Sequence, residues 1–251
     1  RVKRTALWAM VVLGITSSWY PFALDLPKRL RNTAVQLPDG AWDLDGGSRV
    51  VARAAESAAA LLAQQQFSIT VEARPAIDQQ SGPARLVSIG RDPYGASLML
   101  GIDRRTIVLY LPCHGAASNA DAAWQFPMPS TQDVAVTLWF GEGAAAAPSI
   151  QVGDWPRARL DNRCPAGSWA GVPDMTEPWA LGNVYSGHRP FAGRILKLEL
   201  AMGERRIDLL REVPWQAPEV FWTWPERLYE RPTHRGTELV AAGWHFANFA
   251  F

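Results

Sequence analysis

From Phe67 to Arg74 apolar and polar residues alternate. Phe67, Ile69, Val71 and Ala73 fall on one face, and Ser68, Thr70, Glu72 and Arg74 on the other. A period of two is that of a half-buried strand, and Pro75 stops it. The pattern recurs in Asp133–Phe140, where Val134, Val136, Leu138 and Phe140 point inward. It recurs again in Phe191–Leu200, where Leu196, Leu198 and Leu200 oppose Lys197 and Glu199. Arg85–Ile89, Ser149–Val152 and Trp179–Val184 read as further strands. Ser97–Ile102 and Thr106–Leu111, separated by Asp103-Arg104-Arg105, predict a hairpin. Many short strands with Gly and Pro between them predict a mainly β fold, a sandwich of two antiparallel sheets.

The rest of the chain lacks this period. Residues 25–49 read as an irregular lead-in, punctuated by Pro27, Pro38, Gly40, Gly46 and Gly47. Arg53–Gln66, rich in Ala, reads as a short helix. Gly141–Pro148 is a loop of low complexity. Residues 206–251 form a Trp- and Pro-rich tail, either interfacial or the start of a second membrane helix.

Thr5–Leu24 carries no charged side chain, and Arg1, Lys3 and Arg4 precede it. At ~1.5 Å per residue this run covers the ~30 Å hydrocarbon core of a bilayer. Residues 1–24 are therefore expected to be a single N-terminal transmembrane anchor. A cleaved signal peptide and a buried helix are the competing readings. The basic flank predicts a cytoplasmic start, with the following domain on the periplasmic side of a bacterial inner membrane. Trp19 and Tyr20, and in the tail Trp215, Trp222 and Trp224, are the candidate membrane-interface residues.

Net charge is +1, with no dense basic stripe beyond that flank, which argues against nucleic-acid binding. The two cysteines, Cys113 and Cys164, both stand in turn-like surroundings. Outside the cytoplasm they can pair, and neither has zinc-site spacing.

The four histidines, His114, His188, His234 and His245, are scattered. The chain has no nucleophile elbow and no phosphate-cradling glycine loop. No cofactor is expected. Calcium would need several converging oxygens, and only Asp92, Asp103, Asp154 and Asp161 border suitable loops. Sugar binding would use exposed aromatics beside amides or carboxylates. Trp139 lies on the non-core parity of its strand, and Trp155, Trp169, Trp179 and Tyr185 lie in loops or at strand ends. Asp161, Asn162 and Asn183 could add polar contacts. The candidate ligand-binding set is Trp139, Trp155, Asp161, Asn162, Trp179 and Asn183.

Phe67–Pro75, Gln80–Ile89 and Leu98–Asp103, closed by Phe191-Ala-Gly-Arg-Ile195, resemble the strands of a concanavalin A-like lectin/glucanase domain, the jelly roll shared with laminin G modules. The likeness covers roughly residues 35–205, within a β domain taken as 25–205. Anchor plus jelly roll also resembles the N-terminal part of some VanZ-like bacterial membrane proteins. Catalytic members of the lectin/glucanase clan carry Glu-x-Asp-x-x-Glu, which no strand here has. Asp43 and Asp45 alternate, but in the loop-like lead-in, where they read as solvent-exposed turn formers. The resemblance thus implies a non-enzymatic protein rather than a glycoside hydrolase. The leading expectation is an accessory structural subunit of a larger membrane complex, and the alternative is a lectin-like module for envelope glycan.

Overall fold

The computed structural model describes residue 8 and residues 28–52, 66–76, 80–90, 97–115, 121–129, 132–141, 147–166, 168–183 and 189–223. The expected anchor (with Trp19 and Tyr20), the helix expected from Arg53, and Trp224 lie outside these residues. Among the described residues no helix is long and apolar enough to cross a membrane.

The first strands are β1 (Lys28–Arg31), β2 (Val35–Gln36), β3 (Trp42–Asp45), β4 (Val50–Ala52), β5 (Phe67–Pro75) and β6 (Gln80–Ile89). Then come β7 (Leu98–Arg104), β8 (Thr106–Gly115), β9 (Asp121–Pro127), β10 (Val134–Phe140), β11 (Ser149–Val152) and β12 (Ala158–Arg159). The last are β13 (Ser168–Ala170), β14 (Trp179–Leu181), β15 (Ala192–Met202), β16 (Arg205–Asp208) and β17 (Val220–Thr223).

They form two main antiparallel sheets. The eight-stranded sheet runs β12-β11-β10-β5-β15-β3-β2, with β16 also on β15, and the seven-stranded sheet runs β13-β8-β7-β6-β14-β4, with β9 on β8. β1 and β17 pair as a two-stranded ribbon. The protein is thus a β-sandwich, and its sandwich unit extends from Leu30 to Phe221.

The alternation seen in the sequence builds the core. Ile150, Leu138, Ile69, Leu200 and Ile207 line up across five strands of the larger sheet and are all buried. From the smaller sheet Leu100 and Leu109, then Ile102 and Ile107, face them as paired residues with no exposed surface. All of these belong to one continuous apolar cluster, and Phe67 stacks on Phe140 at its edge with ring centroids 5.0 Å apart. The expected β7–β8 hairpin forms, with Arg104 at a φ of 55° in its turn.

Three expectations change. The lead-in is not irregular: it supplies β1, β2 and β3, whose two to four residues are too short to show a period. Asp43 and Asp45 therefore lie on a strand, and Asp43 pairs with Arg194 at 3.4 Å. Leu196 does not share a face with Leu198. A register shift between Ile195 and Lys197 turns Ile195 inward and leaves Leu196 half-buried. Finally, the body continues past residue 205 through β16 and a helical turn, Leu209–Glu212, capped by the Asp208 carboxylate. Trp215 packs partly buried against the core and donates its indole N–H to the Leu209 carbonyl at 2.8 Å. An indole held this way is a structural part of the sandwich.

Candidate functional site

The two outer sheet faces differ. On the seven-stranded sheet, residues of outward parity are buried: Ser88, Met99, Val108 and Ala180 all have 3% exposure or less. Arg85 is also buried there. Its guanidinium contacts the Met99 sulfur and lies 5.9 Å from the Tyr110 ring centre. The face is closed over β6, β7 and β14, whereas on β9 Gln125, paired with Val108, is exposed.

The eight-stranded sheet turns a polar face outward. Arg74 pairs with Asp133 at 2.6 Å, Lys197 with Glu72 at 3.6 Å, and Arg206 with Glu199 at 3.3 Å. The Thr70 and Thr137 hydroxyls bond at 3.1 Å. The Arg74 guanidinium holds the Asp133 carboxyl below its ordinary pKa.

Within this face one row is different. Register places Arg159, Ser149, Trp139, Ser68, Ala201 and Arg206 side by side across six strands. Trp139 is the one large side chain between two short ones, and it is half-buried. Arg157 reaches over from just before β12. Its guanidinium carbon lies 4.4 Å from the Trp139 ring centre, and its Nε donates to Ser149 Oγ at 2.7 Å. The next row brings Thr137 and Gln151 alongside. The result is an aromatic surface bordered by hydroxyls, an amide and two guanidinium groups.

Only Trp139 of the sequence-derived ligand set lies in this row. Trp155 is 40% exposed in the turn after β11, ~10 Å or more along the strand from the Trp139 row. Asp161 and Asn162 lie on the strap that follows β12. Asp161 Oδ1 accepts the Trp124 indole N–H at 2.8 Å, and its other oxygen takes Arg163 Nε at 3.1 Å. The Arg163 guanidinium first, and Trp124 after it, hold the Asp161 carboxyl below its ordinary pKa. Asn162 fastens the strap through Cys164 N–H at 3.1 Å and Ser168 carbonyl at 3.0 Å. Trp179 is a core residue at 3% exposure that donates to the Met175 carbonyl. Asn183 is buried, spanning Ser48 carbonyl and Arg189 N–H at 3.1 and 2.8 Å.

Cys113 and Cys164 form the expected disulfide, joining β8 to the strap across 51 positions. Among the described residues no three His, Cys, Asp or Glu side chains form a group that could hold a metal. Asp92 lies outside those residues.

The sequence reading did not single out Ser68, Ser149, Arg157 or Arg159. Strand parity held a signal for the first: Ser68 and Trp139 both fall on the polar side of their strands, so pairing those strands makes them neighbours. Arg157 left none, because its position depends on the pairing of the two-residue β12 with β11.

No family model matches the chain, and no curated protein matches it. Among solved structures, the CBM40 module of the Ruminococcus gnavus IT-sialidase is similar at 15% identity. The match covers 68% of this chain and 90% of the module, with a TM-score of 0.47. The binding domain of botulinum neurotoxin DC in complex with SialylT is 11% identical over 69% of this chain and 42% of that one, with a TM-score of 0.45. The leech intramolecular trans-sialidase is 15% identical over 70% of this chain and 26% of that one, with a TM-score of 0.46. The chain thus spans less than half the length of the toxin domain and of the leech enzyme.

Proposed function

We propose that the protein is a non-catalytic saccharide-binding module, with Trp139 as its contact platform on the open face of the eight-stranded sheet. The observation that carries this is the half-buried Trp139 indole on the outer face, set between Ser68 and Ser149 and stacked by Arg157. A pyranose ring has an apolar C–H face and a rim of hydroxyls. The indole offers the matching flat apolar surface, and Gln151, Thr137 and Ser68 offer hydrogen-bond partners. The face carries paired charges and short polar side chains, which suits binding without chemistry.

An extracytoplasmic position belongs to the same reading, with residues 1–24 as a membrane tether. The disulfide supports an oxidising compartment. The role of bracing subunit gains nothing from Trp215, which is spent on the protein's own core.

Affinity electrophoresis through gels containing neutral or acidic polysaccharides tests the reading. The full chain should be retarded by at least one of them, and Trp139→Ala should lose at least about tenfold in affinity, or 1.4 kcal/mol. Free migration through every gel, or equal retardation of the variant, rejects the platform.

A further inference from the structure

Resting on the saccharide reading of Trp139, we propose that this platform selects acidic saccharides, whose carboxylate or sulfate is read by Arg159. Charge placement along the open face points there. Arg74, Arg194, Lys197 and Arg206 each have a carboxylate within 4 Å, namely Asp133, Asp43, Glu72 and Glu199. Arg159, on β12, is arranged differently. Arg159 is exposed on the edge strand and makes no ion pair among the described residues. Arg157 is held by the Trp139 ring and Ser149 Oγ. The row through Trp139 contains no acidic residue, and in the next row Glu199 and Asp208 stand at the opposite end of the sheet, on β15 and β16. The sheet therefore presents the exposed guanidinium of Arg159 two strands from the Trp139 indole.

Geometry suits a ligand that bridges the two. Arg159 and Trp139 both pair with Ser149, from either side. Their backbones are thus two strand spacings apart, ~10 Å. A sugar ring on the indole carries an attached or adjacent acidic group to the guanidinium of Arg159. Guanidinium matches carboxylate and sulfate oxygens in a planar fork, which gives direction as well as charge. A neutral sugar would use the indole and hydroxyls alone.

The test pairs each acidic oligosaccharide with its neutral counterpart: uronate with methyl ester, sulfated with desulfated, sialylated with asialo. Isothermal titration of the full chain should show at least one acidic member bound roughly tenfold more tightly than its partner, with the difference shrinking at high salt. Arg159→Gln should erase that difference while keeping the neutral affinity and the melting temperature, and Trp139→Ala should weaken both members. Equal affinity for acidic and neutral members overturns the acidic selectivity and leaves the saccharide platform standing. A preference that survives in Arg159→Gln also overturns it. Failure of every member to bind removes the platform and the selectivity together.

Discussion

Trp124 and Asp161, 37 positions apart, meet through an indole N–H that donates to the carboxylate at 2.8 Å and to the Asp161 carbonyl at 3.1 Å. The bond ties the strap after β12 to the strand β9. Asp161 is thereby a structural acceptor, and the Arg163 guanidinium, then Trp124, depress its pKa. A carboxyl depressed in the folded state stabilises fully above its unfolded pKa and loses that contribution as pH falls through the folded one. Asp161→Ala should therefore lower the melting temperature at neutral pH. The fall should be modest, since the backbone carbonyl remains as acceptor, and the gap to wild type should close in acid. Thermal melts from neutral pH downward check this. A gap that persists at a pH where the carboxyl is neutral would rule out charge as the cause.

The same strap is fastened covalently at Cys164. In the chain-entropy model, a bond closing 51 residues stabilises by about 4 kcal/mol, by restricting the unfolded chain. Cys113→Ala and Cys164→Ala should each reduce the unfolding free energy by that order, and so should reduction of the wild type. The double variant should cost no more than either single one, because both remove the same bond. Urea denaturation followed by tryptophan fluorescence measures all four proteins.

Glycines separate on contact geometry. A methyl group on Gly101 would stand 2.5 Å from the Ala84 carbonyl oxygen, where a bulge in β6 brings the strands close. Backbone would have to move, so Gly101→Ala should cost about 1–3 kcal/mol. At Gly47 the nearest atom is Asp45 Oδ1 at 3.5 Å, and no unusual φ is required. Gly47→Ala should be neutral or stabilise by up to about 1 kcal/mol. Denaturant midpoints of the two variants should move apart.

The strands whose inner face could be read in advance were those with one wet face. β5 and β10 alternate because their outer residues, such as Thr70 and Thr137, meet water. β14 carries no such mark. Trp179, Ala180 and Leu181 are all buried, since the outer face of its sheet is closed, so parity could not separate core from surface there. β2 and β3 escaped notice because a strand of two to four residues gets its stability from its neighbours, and its own pattern is too short to show. The bulge at Leu196 shifted one face by a residue, which only pairing with β5 reveals. For the site, the position of Trp139 was legible and its setting was not. Ser149, Arg157 and Arg159 reach it through strand pairing across a loop, and composition carries no trace of that.

Trp179 and Trp139 stood together as candidate ligand residues, and the structure assigns them opposite energetics. Trp179 is 3% exposed and fills the space between Ile89 and Ala52 in the closed sheet. Its truncation to Ala should cost about 3–5 kcal/mol, the range for emptying a buried aromatic site. Trp139 projects from an open face, and Ser68 and Ser149 beside it do not depend on it for burial of an apolar core. Trp139→Ala should change stability by little more than about 0.5 kcal/mol. Loss of the Arg157 stack sets the upper end of that figure. Saccharide binding should respond in the reverse order: weakened at least about tenfold in Trp139→Ala, and retained in Trp179→Ala at temperatures where that variant is still folded. Melting curves and titrations on both proteins make the comparison. If Trp139→Ala destabilises as much as Trp179→Ala, the indole is a structural element and the open face loses its central residue as a ligand platform.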